Sequence, residues 1–312
     1  MDVFPGHRRL SRPLRAPAVA IGNFDGVHLG HRELVARART AAHRQGGEAV
    51  ALTFDPHPAA VLAPERAPRL LTTTDRKLEL LAAAGADAAV VEPFDRELAA
   101  LPPRAFAEQV LVGALGARHV VVGYDFRFGQ GRAGSPDTMR ELGGELGFTV
   151  DVVDPVTVDG MIASSSKIRG LIEAGDLAAA RALLGRDAEV EGEVVRGAGR
   201  GRGIGVPTAN LALDAGVIPP LGIYAVWIEL AGDDERRAGA ASVGTNPTFD
   251  DSGCLSVEVH ILDFDRDCYG ERARLSFVEH LRGELRFPGA AALVEQIRRD
   301  IADTRRILAA RG

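Results

Sequence analysis

Two histidines, His28 and His31, stand three residues apart in IGNFDGVHLGH (residues 21–31), among Gly22, Phe24, Asp25 and Gly30. Imidazoles on one turn of a helix can both donate to phosphate oxygens, and glycines let the backbone approach a bulky anion. In transfer at the α-phosphorus of ATP, charge grows on the oxygens between the α- and β-phosphates, where each fixed donor contributes about 2.7–4 kcal/mol. A helix cap or a metal-ligand pair is the other reading of HxxH. A second cluster, SSSKIRG, offers the hydroxyls of Ser164, Ser165 and Ser166 with Lys167 and Arg169. It suits the β- and γ-phosphates that leave as pyrophosphate; alone, such a string is a serine cap followed by solvated basic residues. Thr208 and Asn210 in PTAN are hard oxygen ligands on one face of an extended segment, which suits Mg²⁺, although TAN alone reads as a turn. Glu258 in SVEVHIL shares a strand face with Ser256 and His260. It can accept the proton of an alcohol attacking the γ-phosphate, or simply face solvent.

These residues need elements to position them. APAVA with Ile21 reads as a buried strand, and HRELVARARTAAHRQGG as a helix ended by Gly46 and Gly47. The histidines therefore fall at a strand-to-helix turn, where free N–H groups and the helix dipole favour an anion. Apolar strands and amphipathic helices then alternate: EAVALTF, DRKLELLAAAG, DAAVVEPF, PPRAFAEQVLVGALG, RHVVVGYDF. This predicts a parallel sheet wound by helices on both faces, with ligands at the carboxyl ends of the strands. At two such ends, TFDPHP holds His57 between prolines, facing a triphosphate or forming a rigid turn, and GYDFRFG carries Asp125, Phe126 and Phe128. Those aromatics line a flavin or adenine pocket, or belong to the core. From Ala188 onward short alternating strands (YAVWIEL, RAGAASVG, CLSVEVHILDF, ARLSFVEHL) predict a compact antiparallel barrel, closed by a terminal helix, AALVEQIRRDIADTRRILAA. The junction is placed at Gly185, giving domains 1–184 and 185–312. RGAGRGRGIG, with Gly203, can wrap phosphate through its N–H groups but lacks GxxxxGK[ST].

A chain of 312 residues is long for one core, and 46% hydrophobic with 26% charged residues is globular composition. No run is long enough to span a bilayer and MDVFPGHRRLSRPLRAP has no signal-like apolar core, so a cytoplasmic protein without a membrane partner is expected. The net charge of −6 argues against a general nucleic-acid binder. Cys254 and Cys268 form no CxxC pattern and read as reduced structural thiols. One rival enzyme class is written in the chain: Gly129, Gly131 and Gly134 spell GxGxxG, with Asp151 and Asp154 following, as a nicotinamide-dependent oxidoreductase would have. Against it, the motif falls in the last βα unit and beyond the strand Val120 to Val122, whereas the fingerprint normally opens the sheet.

GNFDGVHLGH is similar to the HxGH-bearing first motif of the nucleotidyltransferase superfamily, in the form shown by bacterial bifunctional riboflavin kinase/FAD synthetases. TFDPHP, GYDFRFG and SSSKIRGLI follow in that family's order, and GRGRGIGVPTANL, GIYA, VGTNPTF, VEVHILDF and LRGELRF then resemble its riboflavin kinase module. Three departures are conservative: Val206 stands where the family has Phe, Ser166 where Thr is common, and Ala163 where Ser is frequent. The resemblance implies a Rossmann-like nucleotidyltransferase domain with a parallel sheet, followed by an antiparallel β-barrel riboflavin kinase domain with a terminal helix. It implies riboflavin, FMN and ATP as substrates, Mg²⁺ as cofactor, and a monomer or weak homo-oligomer. It places His28 and His31 in adenylyl transfer, with Gly22, Phe24, Asp25, Gly30, Ser164, Ser165, Ser166, Lys167 and Arg169 around ATP and Gly203 at the kinase nucleotide. His57, Asp125, Phe126, Phe128 and Arg282 are assigned to the flavin, Thr208 and Asn210 to Mg²⁺–ATP, and Glu258 to the base. A flavin-binding regulator on the same scaffold is the non-enzymatic alternative; it would lack His28, Thr208, Asn210 or Glu258, and all four are present.

Overall fold

The computed structural model describes residues 1–197, 205–233, 235–245 and 255–311. The chain divides into two compact units, one of residues 1–68 with 74–164 and one of residues 69–73 with 165–312. The first unit runs β1 (Asp2–Phe4), β2 (Ala18–Ile21), α1 (Leu29–Arg44), β3 (Ala49–Asp55), α2 (Pro58–Leu62), α3 (Thr74–Ala83), β4 (Ala88–Pro93), α4 (Arg96–Ala99), α5 (Pro103–Phe106), β5 (His119–Gly123), α6 (Pro136–Leu146) and β6 (Thr149–Val153), then a small hairpin of β7 (Thr157–Val158) and β8 (Met161–Ile162). Strands β1 to β6 form one sheet in the order β1-β4-β3-β2-β5-β6, and every neighbouring pair is parallel. A parallel sheet is covered on both faces, so its strands are apolar throughout, and all four residues of β2 are buried.

The two faces sort by residue parity. Val19, Ile21, Val50, Leu52, Val120 and Val122 pack with Phe106, Leu111 and Met139 on one side. Ala18, Ala20, Ala49, Ala51 and Val121 pack with Leu34, Val35, Ala38, Leu80 and Leu81 on the other. From β2 the chain winds out to β3 and β4 on one side and later to β5 and β6 on the other, so the sheet's switch point lies between β2 and β5. An open sheet of this kind has its ligand crevice at that point, outside the carboxyl ends of the strands. PPRAFAEQVLVGALG becomes α5 followed by a π-helical stretch, Ala107–Ala114, where a single helix is expected.

The second unit opens with α7 (Ser165–Glu173) and α8 (Leu177–Leu184), followed by β9 (Ala188–Val195), β10 (Ala209–Ala215), β11 (Gly222–Leu230), β12 (Arg237–Thr245), β13 (Leu255–Ile261), β14 (Arg272–Arg282) and α9 (Ala290–Ala309). The six strands close into an antiparallel barrel in the order β10-β13-β12-β11-β14-β9. Their alternation reads directly as burial: Val257, Val259 and Ile261 point inward, while Ser256, Glu258 and His260 are half-buried on the other face. α7 and α8, which the sequence reading puts ahead of the Gly185 junction, fall in the compact unit of the barrel, with α8 packed on β9 and β14.

α9 lies on the barrel through Ile307 and Leu308 against Ala225 and Val278, and one ion pair pins it. Arg282 Nε and Nη2 donate to the Asp300 carboxylate at 3.0 and 2.7 Å, and Gln296 Nε2 donates to it at 2.9 Å. Asp300 is 5% exposed. Asp300→Ala strands a largely buried guanidinium and is expected to cost about 3 kcal/mol; a thermal scan should show the barrel unit unfolding earlier.

Among the described residues no helix is long and apolar enough to cross a membrane. The GxGxxG loop follows β5, on the far side of β2. Its ends are knit together by Phe128 and Gly134, which exchange backbone hydrogen bonds of 3.2 and 2.9 Å. Ser135 then caps α6.

Candidate active sites

The β2–α1 turn carries the first site. Phe24 and Val27 adopt φ of 51° and 37°, sparsely populated values for side chains of their kind, and both are fully buried. Burial holds the strained turn in place, and Asp25, 2% exposed, lies within it. His28 is the N-cap of α1: its Nδ1 accepts from the His31 N–H at 3.4 Å, which leaves Nε2 to carry the proton of the neutral ring. The His28 and His31 rings stack with centroids 3.7 Å apart. Gly30 makes room for this pair, because a Cβ there would lie 3.1 Å from His28 Cε1 and 3.3 Å from the Ala163 carbonyl oxygen. His31 is held well below the usual histidine pKa, first by burial and then by the neighbouring His28 and Lys77 charges. Its Nδ1 is buried with no hydrogen-bond partner among the described residues. Burial and the neighbouring charges therefore favour the neutral form of the His31 ring.

The neighbouring strand ends bring in the other expected residues of this unit. Gly22 N–H donates to the Leu52 carbonyl at 3.1 Å, so the β2 turn abuts the end of β3. There His57 caps α2 through Nδ1, and its Nε2 lies 3.3 Å from Asn23 Nδ2 in the β2 turn. Beyond β5, Asp125 is exposed and Phe126 half-buried, whereas Phe128 is 7% exposed and part of the core. The Phe126 and Phe128 rings stack at 5.5 Å. The serine cluster is divided: Ser164 ends the first unit, while Ser165, Ser166, Lys167 and Arg169 occupy the start of α7 in the second. Ser166 and Lys167 are exposed, and Arg169 Nε donates to the Arg69 carbonyl at 2.8 Å.

The barrel brings its three expected residues together. In the antiparallel register Asn210 stands directly opposite Glu258, and Thr208 Oγ1 donates to Glu258 Oε2 at 3.3 Å. His260 Nδ1 lies 2.8 Å from the Pro207 carbonyl and so anchors the segment that presents Thr208. A Cβ at Gly197 would fall 2.2 Å from Asn210 Nδ2, so a side chain there would push the Asn210 amide aside. Beside the cluster is a cavity of about 450 Å³ lined by Thr208, Val194, Val259, Ile261, Cys268 and Tyr269. Arg282 does not join this group, since its donors are spent on Asp300 and the Gly283 carbonyl. Gly203 and Cys254 lie outside the described residues, as do the other residues of 198–204 and NPTF.

Sequence reasoning missed the cavity's Tyr269 and, in the first site, Lys77. Lys77 had a signal: it shares one helical face with Leu80 and Leu81, and all three are buried.

Comparison with known proteins finds two families in succession along the chain. Residues 11–167 match the model of the FAD synthetase family, and residues 184–308 that of the riboflavin kinase family. The bifunctional riboflavin kinase/FMN adenylyltransferase of Listeria monocytogenes is 40% identical over 93% of this chain and 92% of its own length. The proteins of that name from Pseudomonas fluorescens and Escherichia coli K12 are 35% and 37% identical, with coverage of 99% and 96% of this chain and 98% and 96% of theirs. A crystal structure described as a macrolide-efflux protein from Streptococcus pneumoniae superposes with a TM-score of 0.85 at 30% identity, covering 98% of this chain and 99% of that one. The strained histidine turn and the Thr208–Asn210–Glu258 cluster therefore sit in a chain that belongs, along nearly its whole length, to the bifunctional riboflavin kinase/FMN adenylyltransferase family.

Proposed function

We propose that the barrel unit carries the riboflavin kinase and the parallel-sheet unit the FMN adenylyltransferase of this bifunctional enzyme. The observation that carries the reading is the Thr208–Asn210–Glu258 cluster, whose cross-strand register and 3.3 Å hydrogen bond join a carboxylate to two hard oxygen ligands. In the kinase step the ribityl 5′-hydroxyl oxygen of riboflavin attacks the γ-phosphorus of ATP, and the bond to ADP breaks. Glu258 takes the hydroxyl proton. Thr208 Oγ1 and the Asn210 amide oxygen fit Mg²⁺, which when bound neutralises charge on the phosphates. The cavity beside Thr208 is lined by apolar side chains together with Asp265, Arg266 and Asp267, and its volume suits the adenosine of ATP, with Tyr269 against the base. Gly203 and its loop are assigned to the phosphates.

In the second step an oxygen of the FMN phosphate attacks the α-phosphorus of another ATP, giving FAD and pyrophosphate. That oxygen carries no proton to remove, so the site needs donors rather than a base. His28 Nε2–H and the neutral His31 meet the charge growing between the α- and β-phosphates. Gly22, Phe24, Asp25 and Gly30 shape the turn, and Ser164, in the same unit, is assigned to the leaving pyrophosphate. Asp125 and Phe126, with His57 at the next strand end, are the flavin side; Phe128 supports Phe126 from the core. Arg282, assigned to the flavin by the family resemblance, holds α9 against the barrel through Asp300.

A chromatographic time course with riboflavin, ATP and Mg²⁺ tests the reading. FMN should appear first and FAD after it, and EDTA in excess of the metal should stop FMN formation. FMN that accumulates without FAD, even when FMN is supplied, would overturn the adenylyltransferase half.

A further inference from the structure

We propose that Lys77 is a positioning residue for adenylyl transfer, its buried ammonium fastening the turn that carries His28 to the turn that carries His57. This rests on the adenylyltransferase reading of the first unit.

Lys77 is 7% exposed, on the face of α3 that also buries Leu80 and Leu81. A lysine seldom enters a core unless its charge is matched there. Its Nζ donates to Thr53 Oγ1 and to the Phe54 carbonyl, both at 3.4 Å. The Thr53 hydroxyl in turn donates to the Asn23 carbonyl at 3.1 Å, inside the β2–α1 turn, and Asn23 Nδ2 lies 3.3 Å from His57 Nε2. A short run of polar contacts thus leads from Lys77 through the end of β3 into both histidine turns. Two carboxylates favour the lysine's charge, Asp25 from the β2–α1 turn and Asp55 from the end of β3. A further titratable neighbour is His31 on α1, which the Lys77 charge helps to keep neutral. The ammonium is therefore the common counter-ion of the β2–α1 turn and the end of β3, beyond Ile21 and Leu52, the last residues that pair β2 with β3. An account of Lys77 as a cavity filler explains neither the converging carboxylates nor the polar contacts.

Burial pushes the Lys77 pKa below the ordinary lysine value, and the two carboxylates oppose that fall. Lys77 should then lose its proton at lower pH than an exposed lysine, and FAD formation should decline with it on the alkaline side. Arginine keeps its charge throughout. Asp55→Asn keeps an oxygen that can accept from Thr74 Oγ1, now 3.2 Å away, while it removes one of the two charges.

The experiment follows FAD formation from FMN and ATP in the full-length chain from neutral pH to pH 10, for wild type, Lys77→Met, Lys77→Arg and Asp55→Asn. Lys77→Met should lose about 10- to 100-fold in kcat, as expected for displaced donors, with the KM for ATP moving less than about threefold. The alkaline limb should move to lower pH in Asp55→Asn and to higher pH, or vanish, in Lys77→Arg. Asp55 is exposed, so its variant carries the test should the Lys77 variants fold poorly. An unmoved limb in Asp55→Asn and Lys77→Arg, with kcat of Lys77→Met close to wild type, would overturn the assignment. A wild-type chain that forms no FAD would strike the adenylyltransferase reading itself, and the proposal with it.

Discussion

Replacement of His28 by alanine is expected to lower FAD formation from FMN by at least about 100-fold, the cost of one lost donor at a developing oxyanion. Riboflavin phosphorylation by the same chain should be nearly unchanged, because Thr208, Asn210 and Glu258 belong to the other unit. His28 also caps α1, and losing a cap typically costs about 1 kcal/mol. His28→Asn separates the two roles, since asparagine caps well but places no imidazole N–H at the phosphates. The asparagine variant should melt close to wild type and remain deficient in FAD formation. Parallel assays from riboflavin and from FMN, read by chromatography, check both outcomes. Equal loss of the two activities would contradict separate sites.

The converse variant is Glu258→Gln, which keeps the shape of the side chain and an oxygen to accept from Thr208 Oγ1. It removes the base, and a positioned base is worth about 100- to 10,000-fold. FMN formation should fall within that range while FAD is still made from added FMN. The KM for riboflavin should move little, because proton transfer belongs to the transition state and not to the bound substrate. A loss in KM alone would instead make Glu258 a binding residue.

The alternation of SVEVHIL survives intact as the burial pattern of β13, since one face of a barrel strand is always inside. The βα order likewise carries over, and with it the position of the histidines at a strand end. What was not legible is long-range. Asn210 and Glu258 are far apart in sequence, and nothing local sets the antiparallel register that places them opposite one another. The sequence reading starts α1 at His31, whereas the helix begins at Leu29 behind a His28 cap, and imidazole is not among the side chains that usually signal a cap. Arg282 could be matched to a position in the family, but its partner Asp300 belongs to the following helix. Lys77 is not legible as a site residue because a lysine on a helix normally marks the solvated side, and here it stands on the buried one. β1, only three residues long, owes its place to pairing with β4 rather than to its own sequence.

The most direct measurement follows two labels in one reaction containing riboflavin, Mg²⁺ and ATP labelled at either the γ- or the α-phosphorus. The account predicts γ-label in FMN and FAD, and α-label in FAD alone, with one of each per FAD. Flavin products that carry no α-label would contradict adenylyl transfer, and FMN without γ-label would contradict the kinase.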